Sequence, residues 1–135
     1  MAPWATRIRS ILGGPDIDLP DHALVVRGGT LATQDVLNNA EATHIQTGVW
    51  GISARSDVDA SLEDLTRARR PLPHPQVSVT TAGDLRAAGF DVAMTAGPPH
   101  CTVYLGDETP DDATVTRLRK AFRAPVRNPL KKTDR

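Results

Sequence analysis

Two stretches of alternating apolar and polar residues, 90–95 and 100–105, are separated only by the segment Ala96 to Pro99. A connection this short joins antiparallel strands, because a parallel pair needs a crossover of about a dozen residues or more. The two stretches therefore predict a β-hairpin. They argue against a doubly wound sheet in which helices alternate with parallel strands.

Three further strands are predicted from the segments HALVVRG, GVWGISAR and QVSVTT, which are apolar or alternating and are bounded by turn residues. Helix-forming segments lie between them. We therefore predict an α+β fold, with a mixed sheet of about five strands that contains the 90–95/100–105 hairpin and is flanked by short helices.

Four polar residues stand where N-terminal caps of these helices are expected: Thr33, Ser61, Thr81 and Thr109. Ser61 is followed at the third helical position by Asp64, the spacing of a capping box. A further amphipathic helix is predicted within residues 1–14, where apolar side chains recur at helical spacing up to the Gly13-Gly14-Pro15 stop.

A chain of 135 residues with 39% hydrophobic residues has the size of one domain. We place that α+β domain at residues 15–124, preceded by the helix of 1–14 and followed by a basic, extended tail at 125–135. No apolar run approaches the length of a membrane span or of a signal peptide, and there is a single cysteine. We therefore expect a cytoplasmic protein without a membrane partner.

His100, Thr102 and Tyr104 alternate along the second strand of the predicted hairpin, so they share one face of the sheet. Cys101 belongs to the opposite face, which favours a buried, unreactive thiol. An imidazole, a hydroxyl and a phenol together supply groups for general acid–base chemistry on an RNA phosphodiester. The other interpretation is a polar sheet face whose residues only satisfy their own hydrogen bonds.

Residues 81–122 resemble the helix-strand-strand-helix layout of the HicA family of mRNA-cleaving toxins. The resemblance is carried by Leu85, Gly89, Phe90, Gly97 and His100. It implies that His100 is the catalytic histidine and that RNA is the substrate. Gly97-Pro98-Pro99-His100 departs from the glycine-serine-histidine of that family.

The C-terminal part of the chain is basic, although the formal net charge of the whole is zero. Eight basic residues and one acidic residue lie between Arg117 and the end of the chain. Four of them are predicted to contact phosphates without reading base sequence: Arg117, Arg119, Lys120 and Arg123.

A second cluster, VVRGGTL followed by GVWGISA, resembles the first motifs of ADP-ribosyltransferases within residues 23–54. The resemblance implies that Arg27 binds a phosphate or ribose of NAD and that Ser53 shapes the nicotinamide pocket. No glutamate stands on a later strand, where that family has its third element. The alternative is that Arg27 ends a strand before a tight glycine turn.

These observations predict a small RNA-acting protein, a ribonuclease-type toxin of a toxin–antitoxin or defence system, with RNA or an antitoxin-like protein as partner and no cofactor. The four histidines are widely spaced along the chain, so no metal site is predicted. Two alternatives remain open: an NAD-dependent ADP-ribosyltransferase-like toxin using Arg27 and Ser53, and a non-catalytic subunit of a larger assembly.

Overall fold

An antiparallel sheet organises the chain in the computed structural model, which describes residues 3–131. Six strands are found within this range: β1 (Leu24–Gly28), β2 (Trp50–Ser56), β3 (Gln76–Thr81), β4 (Asp91–Met94), β5 (His100–Gly106) and β6 (Val126–Arg127). They lie side by side in the order β4-β5-β2-β1-β3-β6. The predicted α+β class is confirmed, and β4 and β5 form the predicted hairpin.

The sheet differs from the prediction in two respects. Every pairing is antiparallel, whereas a mixed sheet was expected. A helix between two strands is typical of a parallel crossover, but β1 and β2 are neighbours that run in opposite directions although α2 joins them. The sixth strand, β6, has only two residues, which is too short for an alternating pattern to reveal.

Five helices accompany the sheet within residues 3–131: α1 (Pro3–Leu12), α2 (Thr33–Thr47), α3 (Leu62–Arg67), α4 (Ala82–Ala87) and α5 (Asp112–Ala121). The capping box at Ser61 and the cap at Thr81 are confirmed, because each side chain accepts the expected backbone N–H. The other two predicted caps are wrong. Ala32 precedes α2 without a side-chain cap, and Asp111, not Thr109, caps α5.

One face of the sheet builds the main core with α2, α4 and α5. Its largest fully buried side chains include Ile52, Leu85, Phe90, Met94 and Leu118. Cys101 lies in this core and is fully buried, as predicted. Burial raises the pKa of its thiol far above the ordinary value, because the apolar surroundings disfavour a thiolate.

The other face of the sheet is covered in two separate places. Helix α1 packs over β4 and β5, where Trp4 and Ile8 meet Ala93 and Tyr104. Helix α3 packs over β1 and β3 through Leu65. The polar side chains of β2 and β5 lie between these two helices. This polar strip is the setting of the candidate site.

Both ends of the described chain contact the sheet. Within the predicted N-terminal helix of 1–14, α1 covers the sheet face opposite to the main core, and residues 1 and 2 lie outside the described residues. Within the predicted tail of 125–135, β6 pairs with β3, and the buried Asn128 side chain donates to the carbonyls of Leu72 and His74. Residues 132–135 of that tail lie outside the described residues.

The outer edge of β4 is covered by two arginines. Arg86 Nη2 donates to the Val92 carbonyl at 3.3 Å, and Arg9 Nε donates to the Met94 carbonyl at 2.9 Å. In residues 3–131 no helix is long and apolar enough to cross a membrane.

Candidate functional site

A cleft opens where β1 and β2 diverge. Their register pairs Val25 with Ser56 and Val26 with Arg55. Beyond those pairs the Ser53 amide donates to Asn39 Oδ1 of α2 at 2.9 Å instead of to β1. The cleft has a volume of about 150 Å³ and is lined mainly by Arg27, Gly28, Ser53, Arg55, Leu72 and His100. The lining of the cleft includes His100, which the sequence predicts to be an acid–base residue of a ribonuclease. It also includes Arg27 and Ser53, which the second resemblance assigns to NAD binding.

Thr95 holds the imidazole of His100 through contacts to its Nδ1 atom. His100 Nδ1 lies 3.1 Å from the Thr95 carbonyl oxygen and 3.0 Å from Thr95 Oγ1. Thr95 Oγ1 also lies 2.8 Å from Thr102 Oγ1, and both threonines are buried. A proton on Nδ1 that is donated to the carbonyl leaves Nε2 as the basic nitrogen.

His100 lies in a cationic environment. Its pKa is lowered below the ordinary value of 6.5, chiefly because burial disfavours the imidazolium. The hydrogen bond to the Thr95 carbonyl opposes this shift, while the positive charges of Arg69 and Arg55 add to it. At neutral pH the ring is therefore neutral and able to accept a proton.

The turn that carries His100 is fixed by the end of α1. The Ala96 amide donates to the Gly13 carbonyl at 2.9 Å, and Ala96 and Gly97 have φ angles of 58° and 85°. Gly14 lies so close to this turn that a Cβ there would meet the Gly97 nitrogen at 2.3 Å. The sequence pattern marks the glycine pair only as a helix stop and does not indicate this contact with the turn.

Arg55 joins β2 to the end of α3. Its Nη1 donates to the carbonyls of Leu65 and Ala68 at 3.0 and 2.9 Å, and its Nη2 donates to the carbonyl of Arg70. Because carbonyls at a helix C-terminus carry partial negative charge, a guanidinium is well placed there. Arg55 thus anchors the segment 65–70 beside His100.

Arg69 lies between Ala68 and Arg70, whose carbonyls Arg55 binds. Its guanidinium extends over Gly97, in the turn that precedes His100. Its φ of 55° is left-handed, which is uncommon for a residue with a Cβ. Its Nη2 would lie 3.2 Å from a Cβ placed on Gly97. The sequence analysis assigned no role to this arginine. Nothing in the local pattern RARRP indicates that it faces a histidine 31 positions away.

Tyr104 is not brought together with His100. It lies four residues farther along β5, about 13 Å away at the usual rise per residue. Its ring stacks on Trp4 with centroids 5.1 Å apart, and its hydroxyl donates to Asp107. The predicted triplet shares one face, but only His100 and Thr102 are linked, through Thr95.

Arg27 and Ser53 lie on opposite faces of the sheet. Arg27 is two residues after the core residue Val25 on β1, so its side chain lies on the main-core face of the sheet. Its Nη2 lies 3.4 Å from Asn39 Oδ1 on α2. Ser53 pairs with Thr102 and shares the face of His100. Burial lowers the pKa of Arg27, and Asp35 opposes that shift. The side chain is thus engaged with α2.

The four basic residues predicted to bind phosphates are on α5 or just after it, on the main-core side of the sheet. Arg119 donates to the Leu31 carbonyl at 2.7 Å, and the Arg117 guanidinium lies 4.7 Å from the Phe90 ring centre. Lys120 and Arg123 are exposed. The sheet separates all four from His100, so they do not form one surface with it.

Within residues 3–131, no cluster of histidine, cysteine and carboxylate side chains is arranged to hold a metal ion. Comparisons with protein-family models, with curated proteins and with solved structures give no match to this chain. The site's own geometry is therefore the basis for the function proposed below.

Proposed function

We propose that this protein acts on RNA, cleaving a phosphodiester with His100 as the acid–base group. The supporting observation is the environment of that residue. A half-buried imidazole, with one nitrogen held by Thr95, lines a small cleft beside two guanidinium groups. A neutral base next to fixed positive charge suits an anionic substrate such as a phosphodiester.

In the proposed reaction, Nε2 of His100 accepts the proton of a ribose 2′-hydroxyl. The 2′-oxygen then forms a bond to phosphorus, and the bond from phosphorus to the 5′-oxygen breaks. The leaving 5′-oxygen takes up a proton from water, a 2′,3′-cyclic phosphate remains, and His100 releases the proton it accepted to the solvent. Thr95 positions the ring, and Thr102 acts through Thr95.

The size of the cleft favours this reaction over transfer from NAD. Ligand pockets for small molecules usually measure roughly 300–1,000 Å³. A cleft of about 150 Å³ suits a single sugar-phosphate unit better than a dinucleotide. The side chain of Arg27, central to the NAD alternative, lies on the opposite face of the sheet from the side chain of Ser53 and contacts Asn39 of α2.

The biological setting that we propose is a ribonuclease-type toxin of a toxin–antitoxin or defence system, neutralised by a protein partner in the cytoplasm. The order α4-β4-β5-α5 supports this, because it is the helix-strand-strand-helix order of the toxin family that residues 81–122 resemble. A non-catalytic subunit is the alternative that the experiment below separates from an enzyme.

The test is induced expression of the wild type and of H100Q in a bacterial host, with growth and the integrity of total RNA followed together. Purified proteins are then incubated with the same RNA. H22Q is the matched control, since His22 is exposed and its one ion pair within residues 3–131 is with Asp59 at the surface. We expect growth arrest and RNA cleavage from the wild type and H22Q, and neither from H100Q at equal soluble level.

Intact RNA in all three strains, and in all three purified reactions, would exclude the ribonuclease. Isothermal titration with NAD would then examine the transferase. A stable complex recovered with a host protein would favour the non-catalytic subunit.

A further inference from the structure

The loop that follows α3 presents unpaired positive charge beside the cleft. Arg69 and Arg70 are both exposed. Within residues 3–131, no carboxylate lies within ion-pair distance of either guanidinium, whereas neighbouring Arg67 pairs with Glu63. These charges are thus available to an external anion.

Arg69 is placed by the backbone rather than by a partner side chain. Arg55 binds the carbonyls on either side of it, those of Ala68 and Arg70. This clamp keeps Arg69 in its left-handed conformation, with the guanidinium over Gly97 and close enough to affect His100. A strained residue held in this way, next to a half-buried imidazole, is typical of a functional position.

We propose that Arg69 binds the phosphate on which His100 acts, and that the substrate is single-stranded RNA whose backbone enters along the 68–72 loop. The assignment rests on the proposed function and replaces α5 as the phosphate-binding element. His100 lines a cleft of about 150 Å³, so a phosphodiester must enter that cleft to reach it. A flexible single strand can insert one sugar-phosphate unit there, whereas the stacked backbone of a duplex cannot.

The location of α5 is consistent with this assignment. Its arginines contact Leu31 and Phe90 on the far side of the sheet. A strand bound to α5 would have to pass around the edge of the sheet to reach the cleft. Arg69 needs no such path, because its guanidinium lies over Gly97, in the turn that carries His100.

The experiment measures binding of a short, fluorescently labelled single-stranded RNA by anisotropy over a series of salt concentrations. H100Q serves as the parent so that the RNA stays intact, and R69Q, R69K and R117Q are each added to it. R117Q is the matched control on the α5 side. Thermal unfolding confirms that each variant is folded, which is expected because Arg69 is exposed.

We expect R69Q to weaken binding about tenfold, the effect of losing one charge-assisted contact. The slope of log K against log salt should fall by about 0.7, the value for one phosphate contact on a single strand. R69K should keep most of the affinity and the full slope, since it preserves the charge. R117Q should bind like the parent, and a duplex of the same sequence should bind more weakly.

Unchanged affinity and slope in R69Q would overturn the proposal, as would a larger loss in R117Q. Equal binding of duplex and single strand, or no RNA binding by the wild-type chain, would also overturn it. The two proposals fail separately. Cleavage that needs His100 but not Arg69 removes only this inference, whereas Arg69-dependent binding without any cleavage removes only the proposed ribonuclease.

Discussion

Gly14 and Gly97 are in backbone contact, although 83 positions separate them in the chain. A Cβ at position 14 would lie 2.3 Å from the Gly97 nitrogen and 2.9 Å from the Ala96 nitrogen. The end of α1 is thereby pressed against the turn that carries His100. The N-terminal helix and the candidate site are thus parts of one structural unit.

The first prediction concerns this contact. G14A should destabilise the fold by roughly 2–4 kcal/mol, because the new methyl overlaps backbone atoms and Gly14 has a φ of +95°. G13A is the control: its φ is +79°, but a Cβ there meets nothing within 4 Å, so about 1 kcal/mol is expected. Urea unfolding measures both. Equal losses would show that the contact at Gly14 can relax.

The second prediction concerns the buried hydroxyl pair behind His100. T95V and T102V should each cost about 1–2 kcal/mol, because each breaks the hydrogen bond between the two buried hydroxyls, and T95V also removes the contact of Oγ1 with His100 Nδ1. The double variant should cost less than the sum, by about 0.5–1 kcal/mol. A double-mutant cycle by chemical unfolding measures this coupling. Additive losses would mean that the two hydroxyls do not interact.

The third prediction is a pH dependence of stability. The pKa of His100 is lower in the folded chain than its ordinary value of 6.5, so the unfolded chain binds more protons between those two values. The contribution of His100 to stability is therefore fully present above pH 6.5 and declines as pH falls toward the folded pKa. H100Q should lack this part of the decline.

Thermal unfolding of the wild type and H100Q between neutral and acidic pH measures the difference. Parallel curves for the two proteins would contradict the lowered pKa. If His100 is the base in RNA cleavage, the rate should also hold its neutral plateau to below pH 6.5, because the ring stays neutral there.

The fourth prediction concerns the Arg55 clamp. R55K should lower stability by about 1–3 kcal/mol, since an ammonium cannot reach the carbonyls of Leu65, Ala68 and Arg70 at once. R67K is the control, because Arg67 forms an exposed pair with Glu63, and it should change stability by less than about 0.5 kcal/mol. A comparable loss in both variants would argue against a specific clamp.

The same R55K variant should show faster proteolysis in the 68–72 loop. That result would identify the loop as the part released.

The features that sequence predicted here are local ones. The hairpin of β4 and β5 follows from a four-residue gap between two alternating stretches. The Ser61 capping box follows from a spacing of three residues. The burial of Cys101 follows from alternation along β5. Each depends on neighbours in the chain, so the signal lies in the pattern itself.

The features that sequence did not predict depend on contacts between distant segments. Arg69 faces His100 only because Arg55, on β2, binds the carbonyls of Ala68 and Arg70 on either side of it. The separation of α5 from His100 depends on which face of the sheet each helix covers, and a linear pattern does not encode that choice. The proposed acid–base group was identified from sequence, whereas its supporting residues required the fold.

The arginine cover on β4 has a consequence for association between molecules. An uncovered edge strand offers its carbonyls and amides to another chain, and this is a common start of aggregation. Here Arg86 and Arg9 already occupy the Val92 and Met94 carbonyls, so an incoming strand would have to displace two guanidinium groups. At the opposite end, β6 offers only two residues. Both edges of the sheet are therefore protected against pairing with strands of other molecules, the step by which fibrils grow. Replacing Arg86 and Arg9 would remove this protection from the β4 edge.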